Sequence, residues 1–116
     1  EDVEGFIDSL DLCVQASLRP EPLGQNVLQY LAAGKPTIAA DAGGPMEWIS
    51  SGANGLLFSM GARESLAQAL AQLRSQSVRA RLAEEASRTP GLLDDRAVAE
   101  AHAAFYTEVY RRPGRR

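Results

Sequence analysis

From Glu21 to Ile49 the chain reads EPLGQNVLQYLAAGKPTIAADAGGPMEWI, and this stretch decides the fold. Val27, Leu28, Leu31 and Ala32 recur at helical spacing, so Gln25 to Ala33 is predicted as a helix with Gly34 closing it. Pro36-Thr37-Ile38-Ala39-Ala40 is an apolar run of strand length and reads as a buried strand. Asp41-Ala42-Gly43-Gly44-Pro45 then reads as a turn, with Pro45 suited to the first turn of a short helix through Met46, Glu47, Trp48 and Ile49. Upstream, Pro20 and Pro22 straddle Glu21, which forbids regular structure from Arg19 to Gly24.

The flanks extend the same alternation. Val3, Phe6, Ile7 and Leu10 suggest a short helix, and Leu12-Cys13-Val14 is a compact strand-length run. Ser51 to Gly55 is a turn, and Leu56-Leu57-Phe58 a further short strand. Beyond it the texture turns helical. Leu66, Ala69, Leu70 and Leu73 mark one amphipathic helix, and Val78, Leu82 and Ala86 a second, ended by Thr89-Pro90-Gly91. Asp94 or Asp95 caps a third, whose face holds Val98, Ala101, Phe105 and Val109 with Tyr106 and Tyr110 nearby. Strands alternating with helices predict an α/β fold with a Rossmann-like parallel sheet flanked by helices. A chain of 116 residues suits one domain, residues 1–116, with one core. Three strands make a thin sheet, so further strands are expected from upstream or from another chain.

Composition narrows the function. Twelve basic and fifteen acidic side chains give a net charge of −3, which argues against a nucleic-acid binder driven by phosphate neutralisation. One cysteine, Cys13, excludes an internal disulfide and a cysteine metal cluster, and a reducing cytoplasm is the expected setting. No apolar stretch nears the ~20 residues that cross a bilayer. Arg111, Arg112, Arg115 and Arg116 crowd the C-terminal end, where a solvated helix end whose cations suit the dipole is the favoured reading over contact with anionic lipid or a partner.

Chemistry is expected between Pro20 and Glu47. Glu21 precedes a helix whose start lies at Gly24, and N–H groups at a helix start form a ready phosphate site. Gly24 lets a ligand approach the backbone, and Gln29, five residues on, can face the same pocket mouth. A carboxylate and an amide flanking an anion hole suit a ligand with a central diphosphate and hydroxyls at both ends.

The stretch from Glu21 to Ile49, closed by Asn54-Gly55-Leu56-Leu57-Phe58, resembles the donor-binding half of retaining glycosyltransferases of family 4, the group 1 family with the GT-B fold. The carriers are Glu21, Gly24 three residues on, position 29, the alanine-rich helix end, Gly34-Lys35-Pro36, the strand, and Gly43-Gly44-Pro45-Met46-Glu47. The resemblance implies a partial nucleotide-sugar-binding domain whose acceptor domain lies elsewhere. It assigns Glu21 to donor-sugar hydroxyls as the catalytic residue, and the backbone of Leu23, Gly24, Gln25 and Asn26 to the diphosphate and sugar. Position 29 would hold the ribose, and Gly43, Gly44 and Glu47 would line the donor. The implied reaction moves a hexosyl group from a nucleotide-diphosphate sugar to an unspecified acceptor, with retention, no cofactor and no required metal. Residues 93–112 would form a crossover helix whose aromatics favour self-association of the isolated segment. Membrane-peripheral contact through the terminal arginines fits the same picture.

Position 29 departs from the family's second glutamate. Gln29 keeps one acceptor oxygen and loses charge assistance, so a weaker ribose hold is expected. That departure leaves room for a non-catalytic nucleotide-binding or interaction module of the same ancestry. Elsewhere, bland roles are expected: His102 on a helix surface, Cys13 as a buried thiol, Trp48 in packing, and Asp94-Asp95 as a cap. Gly43-Gly44 also suits a tight turn alone, and Glu47 the positive end of its short helix.

Overall fold

The computed structural model describes residues 2–111. Among them, strands β1 (Cys13–Gln15), β2 (Thr37–Ala40) and β3 (Leu56–Phe58) form one parallel sheet in the order β1-β2-β3. Cys13 pairs with Thr37, and Ile38 with Leu56. Helix α1 (Val3–Asp8) precedes the sheet, while α2 (Gln25–Ala32) joins β1 to β2 and α3 (Pro45–Trp48) joins β2 to β3. Helices α4 (Arg63–Gln72), α5 (Gln76–Ser87) and α6 (Asp95–Arg111) follow. Parallel neighbours need such crossover connections, and the sequence supplies them at the predicted places.

Alternation along the strands builds two cores. Ile38, Ala40, Leu56 and Phe58 face one side, where they meet Ala69 and Leu73 of the α4 turn and Leu82 of α5. Ala39 faces the other, against Val27 and Leu31 of α2, Ile49 and Ala86, with Trp48 and Leu57 partly buried beside them. Leu31, Ile38 and Leu82 are fully buried, each contributing about 1.5–3 kcal/mol through burial. Asn54 links the two ends of the second core: its Nδ2 donates to the Trp48 carbonyl (2.8 Å) and to Thr89 Oγ1 (2.9 Å), while its Oδ1 accepts from the Ser50 N–H (2.8 Å).

Several boundaries and faces differ from expectation. Helix α2 ends one residue early at Ala32, and Ala33 is its C-cap. Strand β1 is shifted one residue, to include Gln15 and omit Leu12. The short helix expected from Val3, Phe6, Ile7 and Leu10 forms as α1, but only Ile7 of it is buried, and Val3 and Phe6 are exposed. No residue of α6 is buried, and Phe105, Tyr106 and Tyr110 stand open as expected. Asp94 caps α6, its Oδ1 accepting from the Ala97 N–H at 2.7 Å. Arg112, Arg115 and Arg116 lie outside the described residues. No described helix is long and apolar enough to cross a membrane.

Candidate functional site

Parallel strands send their C-terminal ends to one edge of a sheet, where α/β proteins build their sites. The loops after Gln15 and Ala40 meet there. Glu21 and Gly43 form an isolated parallel bridge, and the Gly44 N–H donates to the Glu21 carbonyl at 2.7 Å. A Cβ on Gly43 would fall on the Glu21 carbonyl oxygen, and one on Gly44 would fall on the Leu23 carbonyl group. The two loops touch backbone to backbone, so this turn has no room for side chains. Asp41 fastens it to the third loop, with its Oδ1 accepting from the Met60 N–H at 2.8 Å.

Gly24 is the N-cap of α2, at φ +69° and ψ +48°, a left-handed conformation that costs L-residues about 1–2 kcal/mol. Its carbonyl accepts from the N–H groups of Val27 (2.9 Å) and Leu28 (3.3 Å). The N–H groups of Gln25 and Asn26 come before these first helical bonds, at the positive end of the dipole. Leu23 and Gln25 are exposed and Gly24 is buried under Pro45, whose Cδ would lie 3.1 Å from an added Cβ. Asn26 is half-buried, with its Oδ1 accepting from the Val27 N–H at 3.0 Å.

Two residues at this edge escaped the sequence analysis. Ser17 Oγ donates to Glu21 Oε1 at 2.6 Å. Gln15, only 3% exposed, accepts from the Ala40 N–H at 3.2 Å through Oε1, extending the ladder with a side chain where the strand ends. A hydroxyl four residues before Glu21 in a proline-broken loop was the available signal for the first. The second carried none, because a glutamine after Leu12-Cys13-Val14 reads as a surface residue.

The structure gathers Glu21, Leu23, Gly24, Gln25, Asn26, Gly43 and Gly44 into one loop cluster. Gln29 lies to one side of it. Exposed on α2, it lines a cleft of about 680 Å³ whose far wall is α1, with Asp2, Glu4 and Asp8 along it. Glu47 flanks the other side, exposed in the first turn of α3, on a shallow groove with Trp48, Asn54 and Thr89. Both earlier readings of Glu47 remain compatible with that position. Lys35 is at the opposite edge, where its Nζ donates to the Asp8 carbonyl at 2.8 Å. His102 is exposed on α6. Burial raises the Cys13 thiol above its ordinary 9.0, opposed by the charge of Lys35.

A family model described as Glycosyl transferases group 1 matches residues 1–89. The chain belongs to that family. It is 34% identical over 90 residues to the lipopolysaccharide core biosynthesis glycosyltransferase LpsE of Rhizobium meliloti, covering 77% of this chain and 26% of LpsE. It is 40% identical over 72 residues to the putative glycosyltransferase EpsD of Bacillus subtilis, covering 62% of this chain and 19% of EpsD. The chain thus spans about a quarter or less of these relatives. Among solved structures, Anabaena Alr3699/HepE in complex with UDP-glucose superposes with a TM-score of 0.84 at 27% identity, covering 93% of this chain and 30% of that one. The group 1 family accounts for the α/β fold with its parallel sheet, of the GT-B type, and the whole of α6 lies beyond the residues its model matches.

Proposed function

We propose that this chain is the nucleotide-sugar-binding part of a retaining, family 4 glycosyltransferase that moves a hexosyl unit from a nucleoside diphosphate to an acceptor. The observation that carries this is the backbone clasp of Glu21 by Gly43 and Gly44, which seats Glu21 in the loop that leads into the N–H groups opening α2. In this reading Glu21 accepts from hydroxyls of the donor sugar, and the N–H groups of Leu23 to Asn26 take the diphosphate. Those donors are already in place as negative charge grows on the departing diphosphate, so the reaction needs no metal. Gln29 holds the ribose from the α1–α2 cleft, and Gly43, Gly44 and Glu47 close the sugar side. HepE was crystallised with UDP, and with UDP-glucose, which favours a uridine donor. The acceptor belongs to parts of the protein beyond this segment, with α6 crossing toward them, and the enzyme works in the cytoplasm or at its membrane face.

The test is donor turnover by the intact protein with UDP-, GDP- and ADP-sugars, with and without a chelator, and with the product anomer read by NMR. Transfer with retention that survives chelation supports the proposal. Inversion, metal dependence, or turnover of none of these donors would overturn the corresponding part. A second reading, a non-catalytic nucleotide-binding module, draws on Gln29, and predicts saturable nucleotide binding without turnover.

A further inference from the structure

The backbone and the side chain of Glu21 are held by different partners. Its carbonyl accepts from the Gly44 N–H at 2.7 Å, and its backbone is bridged to Gly43. Its carboxylate is held separately, by Ser17 Oγ at 2.6 Å, within the 2.5–2.7 Å range of hydroxyl bonds to an ionised oxygen. Ser17 stands two residues past the end of β1, so the strand itself sets where this hydroxyl lies. Among the described residues this one hydroxyl bond is taken from a carboxylate that offers about four acceptor positions, so others remain for a ligand.

We propose that Ser17 is a positioning residue that fixes the Glu21 carboxylate in one rotamer for the hydroxyls of the transferred sugar. This rests on the reading of Glu21 as a sugar ligand given above. A free glutamate side chain would have to be ordered each time a donor bound, and prior ordering removes that cost from binding. Ser17 then acts on the sugar half of the donor and leaves the nucleotide half alone.

Calorimetry on the intact protein tests this with UDP and UDP-glucose, GDP and GDP-mannose, and ADP and ADP-glucose. For the pair that binds, Ser17→Ala weakens the nucleotide-sugar about tenfold, equivalent to about 1.4 kcal/mol, and leaves the bare nucleotide within about twofold. Ser17→Thr, which keeps a hydroxyl, restores the sugar increment. Equal weakening of both ligands, an unchanged nucleotide-sugar affinity, or failure of threonine to rescue would each overturn the proposal. A ligand-free readout separates it from the function: carbon relaxation of the Glu21 side chain shows lost order in Ser17→Ala. Unchanged order there refutes the positioning role whatever binds. If the wild type binds none of the six ligands, the glycosyltransferase reading of the site fails and the sugar-directed role goes with it. The relaxation result then still decides whether Ser17 orders Glu21.

Discussion

Gly44→Ala is the sharpest perturbation of the site, and Gly52→Ala is its control. Gly44 has φ −52° and ψ −38°, an ordinary backbone conformation, so alanine there brings no torsional penalty. What it brings is a methyl lodged in the Leu23 carbonyl group, a backbone contact that cannot swing aside. Relief requires the two loops to part, which breaks the 2.7 Å bond from the Gly44 N–H to Glu21 and leaves a buried donor unpaired. Loss of such a bond costs about 1–3 kcal/mol, and the displaced packing about 1–3 more. The sum is about 2–6 kcal/mol. For a domain near this size, 1 kcal/mol moves Tm by roughly 4 °C, so a drop of about 8–24 °C is expected. Gly52 offers the opposite case: φ +87° with no atom within 4 Å of an added Cβ. Its alanine variant should lose only about 1–2 kcal/mol to torsion and keep donor affinity. Differential scanning calorimetry and nucleotide-sugar titration on both variants decide the matter. Gly44→Ala with a Tm within 2 °C of wild type and full donor affinity would refute the clasp. Equal loss of donor affinity in both variants would refute its location.

Three further outcomes are expected. Gln29→Glu restores a charged acceptor and should tighten nucleotide binding about three- to tenfold by calorimetry, without changing the increment due to the sugar. Asn54→Ala removes three hydrogen bonds and should cost about 2–3 kcal/mol in urea unfolding, with an unchanged bare-nucleotide Kd in the folded protein. The folded Cys13 thiol holds its proton more tightly than the unfolded one, so its contribution is intact below about pH 9 and is lost as pH rises through the raised folded value. Stability measured from pH 7 to 10.5 should therefore fall less steeply in Cys13→Ala than in wild type.

The middle of the fold was legible because it is punctuated. Gly34, Pro36 and Pro45 stop and start elements at fixed places, and Val27 and Leu31 report a buried helical face directly. The same punctuation located the loop cluster, since Gly43 and Gly44 stand opposite a proline-flanked Glu21. Three things were not legible. Phe6 looks like a core residue by spacing, yet it stands 65% exposed on a helix fixed to the rest through Ile7 and the bond from Lys35 to Asp8. Gln15 and Asn54 are structural polar residues whose partners lie 25 and 35 positions away, and no local pattern reports such a bond. The cleft beside Gln29 has α1 as its far wall, a tertiary fact that spacing along one helix does not contain.

The central claim is that the Glu21–Gly44 loop cluster receives a nucleotide-sugar. An amide-resolved NMR titration of the intact protein with UDP and UDP-glucose addresses it directly, with GDP and ADP as comparisons. The account predicts saturable shifts at Glu21 to Asn26, Gln29 and Gly43 to Glu47, with the sugar adding to those at Glu21, Gly43 and Gly44. Saturable binding whose shifts fall elsewhere, or no binding of any of these nucleotides by the folded protein, would contradict it.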